Sequence, residues 1–336
     1  MNNKETAPAE RVLVITSEVP HKNMLALSPG KDGKIGAWKI LYNPERGTEC
    51  DFWIVFTTSR PNDWMHCAPE NTLYLAGEPP SKKIHPKNFY SQFNYVYSCN
   101  PTDPHPRVQV GAPCLNWHVG LDTRTHEYRF GNAYLADLKA PDKINKISVV
   151  CSNLTTTEGQ RKRLQFLEIL KTELGDDLVH FGRGFTPIPD KLDAILPYAY
   201  HLVLENSITP HYWTEKLSDA YLGHAFPFYL GTPNISQYFK DQSFTIVDTE
   251  KPVEAAAKIK AAITKNLYHT RQGQIEIARK QILEKYNLFS LSAKLADSYF
   301  KEMDTAQRVS ITSHKAFRTF PKNYMYRIKN LIQKQH

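Results

Sequence analysis

Apolar residues in this chain fall into short runs, and in its second half these runs alternate with stretches of helical spacing. Residues 147–151, 178–181, 200–204, 226–230 and 244–247 read as strands. Residues 160–174, 212–224 and 253–263 read as helices, the first with Leu164, Leu167 and Leu170 on one face. Such alternation predicts βαβ units and a parallel sheet covered by helices, with a ligand crevice where strand ends hand over to helix starts. The first half carries strand-length runs at 12–15, 52–56, 73–76 and 95–98. Its connections are long and proline-rich, as at Pro79-Pro80 and 101–113, so they define no topology there. Residues 274–302 return to a helical period, and the polar stretch 138–146 is the expected domain boundary.

Length turns this pattern into two domains, since 336 residues exceed the usual single unit of roughly 100 to 200. No stretch approaches the roughly 20 apolar residues that span a bilayer. The start, MNNKETAPAERVLVITSEV, lacks a charged-then-apolar export pattern, so a cytoplasmic location is expected. Five widely spaced cysteines and thirteen histidines form no metal-binding spacing, which points to reduced thiols and no protein-built metal site. The net charge of +8 is uneven: seven Lys/Arg and no acid lie between Arg308 and His336, interleaved with Phe317, Phe320, Tyr324 and Tyr326. That tail fits an anionic membrane surface, a packed segment with solvated charges, or nucleic acid.

Polar clusters stand at the handovers. Glu205-Asn206-Ser207 comes after the run 202–204, and Thr209-Pro210 can cap and open a helix whose free N–H groups suit a phosphate. Lys216 adds a point charge, while Glu215 and Asn206 suit sugar or ribose hydroxyls. Equally, Thr209 can serve as a cap alone, with Glu215 and Lys216 solvated. Asn153, Arg161 and Arg163 repeat the arrangement after 147–151, arginine gripping phosphate through its planar fork. Gly182-Arg183-Gly184 ends the next strand, where glycine permits close backbone approach.

The order "SN…R…FLEIL", "FGRG" and "YHLVLENSITPHYWTEKLSDAYLGHAFPFYLGTP" resembles the α-1,3/4-fucosyltransferases of glycosyltransferase family 10, in a bacterial form without a membrane anchor. Glu205, Asn206, Ser207, Tyr212, Thr214, Glu215, Lys216, Ala220, Pro227 and Gly231 fall on the family pattern, and "LYLAGEPPS" resembles the segment that carries its proposed base. Trp213 and His224 depart from it and bear on the donor pocket.

The resemblance implies an α/β fold of GT-B architecture, two Rossmann-like domains facing across a cleft. Residues 1–140 would be the acceptor side and 145–300 the GDP-sugar-binding side, with 301–336 a basic aromatic tail. It implies inverting transfer of L-fucose from GDP-fucose to a hydroxyl of N-acetylglucosamine or glucose in an oligosaccharide or lipid-linked surface glycan. Glu78 would be the catalytic base. Asn153, Arg161, Arg163, Gly182, Arg183, Glu205, Asn206, Ser207, Tyr212, Thr214, Glu215 and Lys216 would hold the donor. No cofactor is required, and a divalent cation would only assist product release. Another GDP-deoxyhexose is the alternative donor, and nucleic-acid binding through the tail is the alternative from a different class.

Overall fold

The computed structural model describes residues 9–30, 33–156 and 158–318, together with 322 and 325–326. Contacts divide the chain into two units, one made of residues 1–20, 28–113 and 288–336, the other of 21–27 and 114–287.

The first unit is built on β1 (Arg11–Thr16), β2 (Lys34–Ile35), β3 (Trp38–Tyr42), β4 (Phe52–Phe56), β5 (Asp63–Cys67), β6 (Thr72–Leu75), β7 (Tyr95–Ser98) and β8 (Val108–Val110), with a short α1 (Lys87–Tyr90). Seven of these strands form one sheet in the order β2-β3-β1-β4-β6-β7-β8, parallel except for the β2–β3 pair. The runs FWIVF of β4 and TLYL of β6 are buried throughout. That is the mark of parallel strands covered on both faces, and it is why these runs are apolar without alternation.

The second unit opens with β9 (Leu121–Asp122), β10 (Glu127–Tyr128) and α2 (Asn132–Asp137). It continues through β11 (Ile144–Val150), α3 (Glu158–Leu174), β12 (Leu178–Phe181), α4 (Lys191–Ile195), β13 (Tyr198–Leu204), α5 (Glu215–Leu222), β14 (Phe226–Leu230), β15 (Thr245–Ile246), α6 (Pro252–Thr264) and α7 (Leu267–Glu284). Its five-stranded sheet runs β12-β11-β13-β14-β15, all parallel. The chain then rejoins the first unit as α8 (Leu288–Tyr299) and β16 (Gln307–Ile311), the latter antiparallel to β5.

Three expectations change. The chain divides after residue 113, because carboxylates of the second unit hold the segment from His118 to Gly120: Asp219 accepts the backbone N–H of His118 (2.6 Å) and Val119 (3.0 Å), and Asp190 that of Gly120 (3.0 Å). The polar stretch 138–146 is instead the exposed approach to β11, with Lys143 donating to the carbonyls of Leu196 (2.8 Å) and Gly223 (2.7 Å). The helix expected over 212–224 starts only at Glu215, since Thr214 is extended (φ −124°, ψ −173°) and serves as its cap. The expected tail is also part of the first unit where it is described. Beyond β16, the turn His314–Phe317 buries His314, whose N–H reaches Ser59 Oγ at 3.1 Å, and packs Phe317 on the core beside Phe89. Phe320, Tyr324 and the basic residues from Arg327 onward lie outside the described residues.

Candidate functional site

Glu205 lies just past β13 and is 3% exposed. A buried carboxylate must be paired, and this one accepts the Thr214 backbone N–H at 2.7 Å, the Thr214 hydroxyl at 2.7 Å and the Lys216 ammonium at 3.2 Å. Thr214 caps α5, its hydroxyl accepting from the Lys216 N–H. The strand end thereby fixes the helix start and sets Glu215 and Lys216 at its positive end.

Glu215 lies 3.2 Å from Lys216 Nζ, 3.8 Å from Lys191 Nζ and 4.0 Å from His118 Nδ1. One turn on, the buried Asp219 takes Lys191 at 2.7 Å. Burial would raise the Glu215 carboxyl, but the ammonium groups of Lys216 and then Lys191 overcome it and hold Glu215 well below the usual carboxylate range. Burial would likewise discharge Lys216, yet Glu205 and Glu215 keep its ammonium firmly charged. His118 is pushed down by desolvation first and then by Lys191, so its imidazole is neutral at neutral pH.

Arg163, in the second turn of α3, donates to the Asn206 side-chain oxygen, and its buried Nε has no partner among the described residues. Arg161 is exposed and donates to the Thr155 carbonyl at 2.9 Å. The Asn153 N–H reaches the Arg183 carbonyl at 3.0 Å, tying together the ends of β11 and β12. Gly182 (φ 124°) and Gly184 (φ 85°) serve that junction: an added Cβ would lie 2.5 Å from the Cys151 carbonyl oxygen in one case and 2.2 Å from the Asn153 amide in the other. Their close approach is therefore to the chain itself. Ser207 pairs with Thr209 at 3.0 Å, leaving the capping to Thr214, and Tyr212 is buried.

Trp213 and His224 are held by other contacts. Trp213 is wholly buried in an aromatic core, 5.3 Å from Phe239 and 5.8 Å from Tyr286 between ring centroids. His224 precedes β14 at its amino end, bonded to Glu276 and the Leu138 carbonyl, while the polar cluster occupies the carboxyl ends.

Glu78 belongs to the first unit, three residues past β6. Its carboxylate is half-buried and takes Lys82 at 2.7 Å. It borders a small cavity with Tyr74, Lys83, His85, Asn100 and Asp103.

His118, Lys191 and Asp219 escape the sequence reading. Asp219 leaves a trace, a carboxylate on the buried face of α5 beside Leu217, Ala220 and Tyr221. His118 and Lys191 leave none, being joined to Glu215 only by the fold. Among the described residues no group of three His, Cys, Asp or Glu side chains is placed to hold a metal ion, and no helix is long and apolar enough to cross a membrane.

Two α/β units, one with polar residues gathered at the carboxyl ends of its parallel strands, define a GT-B fold, the class of many sugar-nucleotide-dependent glycosyltransferases. Residues 140–270 match glycosyltransferase family 10 (fucosyltransferase), C-terminal domain. The chain is 34% identical over 128 residues to 3-galactosyl-N-acetylglucosaminide 4-alpha-L-fucosyltransferase FUT3 of Bos taurus, covering 36% of this chain and 33% of that one. It is 36% identical over 69 residues to alpha-(1,3)-fucosyltransferase FucT of Helicobacter pylori, covering 20% and 14%. The chain thus spans a third or less of the length of these relatives. A crystal structure of an alpha1,3-fucosyltransferase with GDP superposes with a TM-score of 0.50 at 18% identity, over 86% of this chain and 96% of that one.

Proposed function

We propose that this chain is an inverting fucosyltransferase that moves L-fucose from GDP-fucose to a hydroxyl of N-acetylglucosamine or glucose in a surface glycan, in α-1,3 or α-1,4 linkage. The observation that carries the reading is the Glu215-Lys216 pair at the start of α5, anchored on the buried Glu205. A charged Lys216, the α5 N-terminus and Arg163 would neutralise the leaving diphosphate as its charge grows. Glu215 and Asn206 would accept donor hydroxyls. Glu78 would take the proton of the attacking acceptor hydroxyl, and Lys82 must release it for that step.

These cations supply the stabilisation that the leaving group needs, so the proposal requires no protein-bound metal. A divalent cation would assist GDP release. Another GDP-deoxyhexose stays the alternative donor, and the panel of GDP-sugars below distinguishes it. We place the protein in the cytoplasm, with the basic residues after Arg318 in peripheral contact with an anionic inner-membrane face. Vesicle flotation of the full chain and of a form ending at Arg318 tests that contact.

The decisive test of the activity is a panel of GDP-sugars with N-acetyllactosamine and lactose acceptors, products read by mass and their anomeric configuration by NMR. Transfer of fucose with inversion is expected. Preference for another GDP-sugar, or retention of configuration, removes the reading.

A further inference from the structure

Beside Glu78, two segments distant in sequence bring four cations together: Lys82 and Lys83 from the loop after β6, Lys315 and Arg318 from the turn after β16. Among the described residues Glu78 and Glu18 oppose them. Lys82 is paired with Glu78 at 2.7 Å and Lys315 with Glu18 at 2.8 Å. Lys83 and Arg318 remain, and among the described residues neither has a bonded carboxylate.

The arrangement works against its own stability. Lys83 is half-buried, and its ammonium is pushed toward the neutral form first by burial and further by Arg318 and Lys315, with Glu78 and Glu18 only partly opposing. Two like charges held together, one of them partly desolvated, repel unless an anion sits between them. Among the described residues no other carboxylate is paired with either cation: Asp103, which lines the same cavity as Lys83, is buried and bonded to Asn100 at 2.8 Å through one oxygen, the other being unpartnered, and no Asp or Glu comes after Asp304 in the sequence. Nor is the turn that carries Arg318 loosely placed. The bond from the His314 N–H to Ser59, the Lys315–Glu18 pair and the packing of Phe317 against Phe89 fix it.

We infer that the acceptor carries an anionic group, and that Lys83 and Arg318 hold that group next to Glu78. This rests on the reading of Glu78 as the base. The anion is a phosphate, sulfate or carboxylate of the glycan, either on a sugar ring or at the reducing-end phosphate of a carrier-linked chain.

Initial rates with GDP-fucose separate the possibilities, using N-acetyllactosamine, its 6-O-sulfated forms and N-acetyllactosamine 1-phosphate. An anionic acceptor should exceed the neutral one in kcat/KM by about tenfold or more, through KM, as a charge-assisted contact implies. Ring sulfate against anomeric phosphate tells which source is read. Lys83→Gln and Arg318→Gln should abolish the preference while leaving the neutral acceptor and GDP affinity unchanged. Equal rates with neutral and anionic acceptors overturn the inference and leave the fucosyltransferase reading standing. Weakened GDP binding in the variants assigns the cations to the donor instead. Lost vesicle flotation with an intact acceptor preference, or with no preference at all, assigns them to a membrane. GDP binding without transfer to any acceptor removes the reading itself and this inference with it.

Discussion

At the residue scale the proposed roles separate groups that hold from groups that react. Glu78→Gln should lower kcat roughly 100-fold or more with GDP affinity unchanged, as loss of a general base does. A variant that keeps near-native kcat takes Glu78 out of the mechanism. Arg163→Ala should weaken GDP by about 1.5 to 3 kcal/mol in calorimetry, the range of a charge-assisted bond. Lys216→Ala should weaken it as much, but it also removes the only cation paired with Glu205 among the described residues, and that side chain is fully buried. It should therefore lower Tm where Arg163→Ala, near the surface, does not. Unchanged GDP affinity in both variants would sink the diphosphate assignment. The difference between the two was hidden in the sequence, where Lys216 reads as a solvated helix position or as a phosphate ligand. Its bond to a carboxylate eleven residues earlier shows that it also braces the fold.

At the element scale α5 depends on one residue. Thr214 caps the helix and donates to Glu205 through its backbone and its hydroxyl, so Thr214→Val costs the cap, roughly 1 to 2 kcal/mol, and takes one donor from a buried carboxylate. Thr214→Ser keeps both roles. Denaturant melts should show Thr214→Val destabilised by about 2 kcal/mol or more and Thr214→Ser close to native. Equal stability of the two would mean that Glu205 is held by Lys216 alone. The strands were the most legible elements, because a covered parallel strand must be apolar from end to end: β4, β7, β12 and β14 lie where the apolar runs stand. Helix starts were less so. Thr209-Pro210 carries every local signal of a cap, and only the extended Thr214 shows why the helix waits until Glu215. Strands β2, β3, β5, β8, β9, β10 and β16 went unread, β16 because QRVSI leaves four of its five residues partly or fully exposed.

At the scale of the whole molecule, which segments share a unit was the least legible feature, since the ties are single polar contacts between distant residues, such as Asp219 to His118 and Trp38 Nε1 to Asp297 (2.7 Å). Composition sees the polar stretch 138–146 but not these bonds. Both units have one thing in common that a measurement can reach: buried neutral histidines. His201 in the second unit, 2.8 Å from Ser148 Oγ, and His85 and His314 in the first are each 5% exposed, and burial above all pushes each down to about 3. In the unfolded chain they would titrate near 6.5. The folded pKa values lie below the unfolded ones, so the stability from keeping these rings neutral is complete above about pH 6.5 and is lost as pH falls toward 3. Shifted carboxylates such as Glu215 add to the loss only nearer their ordinary range, about pH 4.5 and below. The window from 6.5 to 5 therefore belongs to the histidines. Thermal melts at pH 7.5, 6 and 5 should show Tm falling across it. His201→Gln should lessen that fall for the second unit, where His118 is pushed down to about 3 as well, and leave the first unit's response intact. A Tm constant from pH 7.5 to 5 would mean that these rings and His118 take up protons without cost, and that their burial does not govern the acid stability of either unit.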